Sequence, residues 1–269
     1  MTKLNLYCLS LYNEDYKKIK KIGYHPVGLG KSKFGSGWIR DNTGKNISNK
    51  NEYYGEYTFH YWFWKNKLKT INKKEWYGFC AYRRFWTSSE KILEINKKKD
   101  FLKKVPKEWK NYDVILGNPI SMDGWTLMKI LKHGLKSFIL NPKFFFKKNW
   151  NLKLHFDSFH GYGNLDKAIN LLNKKDREDF KSFMNNQNFF NRGNMFICSS
   201  KKIMSKYYNE IFRWLKKCEK VFGFKKNSYG EARIYGFLME RYSSYWFNKY
   251  TKVKNWPVAF FNINKNKLF

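Results

Sequence analysis

Arg83 and Arg84 follow a short apolar run, Glu75–Ala81, and are flanked by Tyr82, Phe85 and Trp86. Guanidinium groups packed among aromatics need an anionic partner, and paired arginines suit phosphate oxygens. Upstream stands D-N-T-G-K-N-I-S, residues 41–48. A loop rich in Gly and Asn can aim backbone N–H groups at an anion. Asp41, Asn42, Gly44, Asn46 and Ser48 are therefore expected to meet Tyr82, Arg83 and Arg84 around a phosphate-bearing ligand. Ser10, at the end of the first apolar run, and Glu56, placed to orient an arginine, complete the expected set.

Moving a group from a phosphate ligand to a hydroxyl calls for a general base. Asp157, Glu231 and Glu240 are the candidates. Glu231 lies near a helix start, and Glu240 has Arg233 and Arg241 at hand for an ion pair. The acid pairs Glu14-Asp15 and Glu178-Asp179 read as surface charge. His160, Asn191, Asn194 and Arg233 are expected on the acceptor side. His155, Asp157 and His160 spell H-x-D-x-x-H, but no cysteine or further acid adjoins them, so no metal site is expected. The chain contains no D-x-D. A divalent metal is thus at most accessory, with two guanidinium charges stabilising a departing diphosphate.

Strands and helices alternate, which indicates an α/β fold with a mixed central sheet flanked by helices. Leu4–Leu9, His25–Leu29, Glu75–Ala81, Tyr112–Ile120, 189–199 and the W-P-V-A-F-F tail read as strands. A helix is expected from Asn49 to Asn66, with Asn49 and Glu52 as a capping box and Glu56 bonded to His60. Further helices are expected over Asn164–Phe183, Lys201–Phe222 and Tyr229–Phe247. Lys91–Lys110 reads as a charged helix or surface excursion, and Ser121–Phe146 as a poorly patterned insertion. A single domain, 1–269, is expected, with a ligand-binding half over about 1–120 and a catalytic half over about 150–269.

The 269 residues carry a formal charge of +33 with 20% aromatics. Hydrophobic residues at 42% suffice for a core despite a mean hydropathy of −0.72. The charge suggests a polyanionic partner: a phosphate ligand, an anionic membrane surface or nucleic acid. No run is long enough to span a membrane, and no secretory leader is evident. A cytoplasmic location is expected, with contact at the inner membrane face through lysines around the aromatic tail, Tyr250 to Phe269. The cysteines, Cys8, Cys80, Cys198 and Cys218, read as reduced core residues.

D-N-T-G-K-N-I-S, the E-Y-T-x-x-Y-W-x-W-K-N segment and Y-R-R-F resemble a bacterial glycosyltransferase family of capsular-polysaccharide and O-antigen synthesis, long catalogued as a domain of unknown function. N-M-F-I and R-I-Y-G-F-L-x-E-R resemble it too. The resemblance implies a single-domain variant of the GT-A nucleotide-sugar fold. It implies a UDP-sugar donor, with galactofuranose the associated sugar, and a saccharide or lipid-linked saccharide acceptor, with inversion expected. Ala81 stands where that family usually has His, and Lys45 where it has Asp. Two alternatives remain open: a basic nucleic-acid-binding protein, for which no recognised motif is present, and a catalytically inactive sugar-nucleotide-binding homologue.

Overall fold

The computed structural model describes residues 2–72, 75–224 and 228–265. Its strands are β1 (Leu4–Ser10), β2 (His25–Gly28), β3 (Ile39–Arg40), β4 (Trp76–Ala81), β5 (Arg84–Trp86), β6 (Val114–Gly117), β7 (Ile120–Ser121), β8 (Phe189–Phe190), β9 (Phe196–Cys198), β10 (Val253–Trp256) and β11 (Val258–Phe260). Its α-helices are α1 (Tyr16–Ile22), α2 (Asn51–Tyr54), α3 (Tyr57–Trp62), α4 (Leu127–Leu140), α5 (Leu152–His160), α6 (Asn164–Asn170), α7 (Lys174–Asn186), α8 (Lys201–Phe222), α9 (Tyr229–Ala232) and α10 (Ile234–Tyr250).

The main sheet runs β10-β6-β9-β4-β1-β2-β3 and is parallel except for β9; β5 pairs with β4 and β11 at one end. The register Leu4↔Trp76 to Leu9↔Ala81 and Tyr7↔His25 brings Ser10, Gly28 and Ala81 to one edge. β1 lies between β2 and β4, so the strand order reverses between β1 and β4, where open α/β sheets bind ligands. Strands β9 and β10, from the C-terminal half, sit in the same sheet as those from the N-terminal half.

Alternation along β1 supplies two cores. Tyr7 and Leu9 join the cluster under α3, α8 and α10, while Leu6 and Cys8 join a second one with Trp86, Trp109 and Trp256. All four cysteines are free and buried.

Several expected helices are broken. The Asn49–Asn66 stretch is a 3-10 turn, α2, α3 and then a π-helical turn, Phe63–Lys67. Gly55 causes the break: its φ of 58° and ψ of −134° lie where only glycine is at ease. The expected capping box is not formed. Helix 164–183 is interrupted after Asn170, and 229–247 at Arg233. Residues 91–110 form turns with two short 3-10 helices rather than a long helix. Residues 121–146 hold a fourteen-residue helix, α4, kinked at Gly134 where φ is −123° and ψ 24°. Asp15, expected at the surface, is fully buried and takes a 2.5 Å hydrogen bond from Ser10 Oγ.

Candidate functional site

Two cavities meet at the edge where the parallel strands end. The smaller, of about 270 Å³, lies over the β1–β4 junction and is lined by Ser10, Leu29, Gly55, Glu56, Tyr82 and Arg233. The larger, of about 590 Å³, is lined by Trp125, His155, His160, Arg192, Phe237 and Glu240. Tyr229 lines both.

In the smaller cleft, Gly55 has no room for a side chain because the Arg233 guanidinium lies against it. Arg233 donates to Glu56 at 3.5 Å and to the Tyr229 hydroxyl at 2.9 Å. Glu56 thus orients an arginine, but that arginine is Arg233. The expected Glu56–His60 bond is not formed: His60 is buried between Tyr208 and the carbonyl of Asn194. Burial pushes His60 down to about 3. The Ser10 hydroxyl is engaged locally, donating to Asp15 and accepting from the Tyr12 amide.

The loop 41–48 does not reach the cleft. Asp41 is fully buried and takes a 2.5 Å bond from Thr58, joining β3 to α3. Burial raises the Asp41 carboxyl, against the opposing Thr58 bond. Trp62 then donates to Thr43, and Asn66 holds both the amide and the carbonyl of Lys45. Asn46 accepts from the Ser48 amide and hydroxyl, closing a local turn. The exposed stretch with Asn42 and Gly44 is therefore tied along α3 toward its C-terminal end, away from Tyr82.

Tyr82 and Arg83 form the tight turn between β4 and β5, with Ala81 opposite Arg84. Arg83 is exposed over the Tyr82 ring, 4.9 Å from its centroid, rather than packed between aromatics. Arg84 is half-buried, and among the described residues its guanidinium has no hydrogen bond or ion pair.

Arg192 is a residue that sequence reasoning missed. It is half-buried, and its guanidinium likewise has no hydrogen bond or ion pair among the described residues. Burial, and then the nearby charge of Arg84, push Arg192 below the usual guanidinium range, with Glu240 opposing. Gly193 sets this approach: a side chain there would meet Ser243 at 2.6 Å and the Cα of Glu240 at 3.0 Å.

Of the three base candidates, only Glu240 lines the larger cavity. Arg241, itself 2% exposed, donates to Glu240 at 2.7 Å. Asp157 is buried between Lys153 and the Gly163 amide, and burial raises its carboxyl. Glu231 lines a separate pocket of about 160 Å³ with Asn164 and Lys167. Asn191 is a structural pin, bonded to Gly117, Ser244, Asn248 and Asn255. Asn194 serves His60 through its carbonyl, and its buried Oδ1 has no partner among the described residues.

Of the three histidines lining the larger cavity, His133, His155 and His160, the last two are in opposite tautomers. Arg241 can only donate, so His155 Nδ1, 3.2 Å away, accepts and its Nε2 carries the proton. His160 donates from Nδ1 to the Gly230 carbonyl, leaving Nε2 as a buried acceptor with no partner among the described residues. Burial and Arg241 hold both well below the usual imidazole range. His160 also stacks on Phe237 at 3.9 Å. No group of three or more His, Cys, Asp or Glu is placed to hold a metal ion among the described residues.

A family model described as "Domain of unknown function (DUF4422)" matches residues 9–252. The chain belongs to this family. No curated protein matches it. A solved structure, the apo form of the "WbbM bifunctional glycosytransferase", superposes with a TM-score of 0.67 at 20% identity. That match covers 96% of this chain and 45% of the other, so the chain spans about half of that protein. The DUF4422 chain therefore has a GT-A-like fold.

In this DUF4422 protein the third arginine was hidden in F-F-N-R-G-N-M-F, where the glycine was the one usable signal. In the chain His155 stands out only by its spacing in H-x-D-x-x-H. A wider open groove of about 850 Å³ lies at the start of α8, between Trp64, Lys201 and Lys206. It sits at the opposite end of the sheet and holds no carboxylate, so it lacks a base.

Proposed function

We propose that the protein is a glycosyltransferase that moves a sugar from a nucleotide-sugar donor to a hydroxyl of a saccharide or lipid-linked saccharide. One observation carries this reading. A cleft at the strand reversal adjoins an aromatic cavity, with the unpaired Arg84 and Arg192 and the carboxylate of Glu240 close together at that edge. The nucleoside occupies the smaller cleft beside Tyr82, Glu56 and Arg233. The diphosphate lies toward Arg84 and Arg192, whose fixed charges stabilise it as it leaves. The acceptor sugar enters the larger cavity, where aromatic faces cover its C–H surfaces and His155 and His160 bond its hydroxyls. Glu240 takes the proton of the attacking hydroxyl.

The ligand chemistry near Arg84 and Arg192 is cationic, which does not fit a divalent metal. A metal is accessory in this reading. The UDP donor, galactofuranose and inversion rest on the family resemblance alone. The test is calorimetric titration of UDP and UMP in EDTA and in manganese, followed by transfer assays with UDP-sugars. UDP binding in EDTA, clearly tighter than UMP binding, is expected. Loss of UDP binding in EDTA would overturn the arginine-based mechanism.

A further inference from the structure

We infer that α4 and the turns after it form a docking surface for an anionic membrane. Met128, Leu135 and Ile139 are 73%, 56% and 68% exposed; Leu135 and Ile139, one turn apart, share a face of α4, and Met128 lies on the other side of a kink at Gly134. Phe145 and Phe146, just beyond, are 50% and 64% exposed. The opposite face, with Ile130, Gly134, Ser137 and Phe138, is buried. The helix thus packs on the protein and still leaves large apolar side chains exposed on both sides of the kink. A run of exposed apolar side chains of this kind marks an interaction surface.

Charge selects the occupant. Lys129, Lys132, Lys136, Lys143, Lys147 and Lys148 lie between residues 127 and 149, with no Asp or Glu in that span. Apolar side chains flanked by lysines suit the boundary between anionic headgroups and acyl chains. Nucleic acid would match the lysines but gives no role to the exposed Met, Leu and Ile side chains. No helix among the described residues is long and apolar enough to cross a membrane, so the protein would lie on the surface through this segment. The tail is a poorer anchor than expected: Trp256, Phe261 and Ile263 are buried, and Phe260 is exposed. Residues 266–269 lie outside the described residues. Trp125 and His133, on the same segment, line the larger cavity. A membrane held by α4 would therefore stand beside the cavity assigned above to the acceptor.

The test is flotation of the full chain with phosphatidylcholine vesicles, with and without phosphatidylglycerol, at low and high salt. It reads binding only and does not depend on the proposed transfer. Binding to the anionic vesicles alone is expected. The triple variant Met128→Ser, Leu135→Ser, Ile139→Ser and the double variant Lys132→Glu, Lys136→Glu should each weaken it by about tenfold or more. A Met128→Cys protein carrying an environment-sensitive dye should shift to the blue on anionic vesicles. The proposal is overturned by an unshifted dye or by equal binding to neutral vesicles. A dimer in ultracentrifugation that depends on these apolar side chains, or lysine-dependent binding to nucleic acid without vesicle binding, would assign the surface to another partner.

Discussion

Arg241 reaches Glu240 with one nitrogen, at 2.7 Å, and His155 Nδ1 with another, at 3.2 Å. One buried cation thus holds the carboxylate at the cavity wall and sets the protonation of the histidine beside it. Glu240→Gln should keep the hydrogen bond and the fold. It should lower transfer by about a hundredfold or more, as loss of a general base does, with UDP affinity unchanged. Glu240→Ala should in addition lower stability by about 3–5 kcal/mol, because Arg241 is left buried without its partner. Full activity in Glu240→Gln would remove Glu240 from the base role.

Arg84 lies near enough for its charge to act on Arg192, and neither guanidinium has a hydrogen bond or ion pair among the described residues. Arg84→Ala or Arg192→Ala should weaken UDP binding by one to two orders of magnitude, since a charge-assisted contact contributes about 1.5–3 kcal/mol. UMP should lose less. Arg83→Ala should matter least, because Arg83 is exposed over Tyr82. Calorimetry on the three variants checks the order, and a dominant Arg83 would reverse the assignment.

Gly55 combines a φ of 58° with a guanidinium pressed against its Cα. Gly55→Ala should cost about 1–3 kcal/mol from backbone strain. It should also displace Arg233 from Glu56 and lower nucleotide affinity. A melting temperature equal to that of the unaltered protein would contradict this.

His60, His155 and His160 are buried and neutral, with pKa values depressed below the ordinary value near 6.5. The unfolded chain therefore binds protons that the folded chain refuses. Their stabilising contribution is complete above about pH 6.5 and is lost as pH falls toward about 3 for His60. Each adds a slope of about 1.4 kcal/mol per pH unit in that window. Urea melts from pH 7 to 5 should show stability falling, and His60→Gln should remove about one histidine from the slope. A flat profile across that range would show that these histidines charge without unfolding.

His160 Nε2 is an acceptor without a partner among the described residues. His160→Phe preserves the stack on Phe237 but removes that acceptor. The acceptor KM should rise about tenfold, as expected for a lost hydrogen bond to a neutral group, while donor affinity holds. An unchanged KM would leave His160 a structural residue.

Local pattern made much of the fold readable from the chain. Short apolar runs wrote β1 and β4, the spacing of apolar residues wrote α8, and the succession of elements wrote the α/β class. These signals survive in one dimension because side-chain direction repeats with the backbone. Glu240 and Arg84 stand out in the chain as a carboxylate and a cation in apolar settings. Their partners do not. Glu56 could face His60 or an arginine, and only the approach of α10 to Gly55 selected Arg233. Arg241 rather than Arg233 took Glu240 for the same reason. The loop 41–48 looked free, yet hydrogen bonds to Trp62 and Asn66 tie it along α3. Arg192 gained meaning only when β9 ran antiparallel between β4 and β6, which brought the loop before it to the strand-end edge beside Arg84. Composition fixed the amount of positive charge. The tertiary structure decided that α4 would keep apolar side chains outside, because α5 covers only its other face.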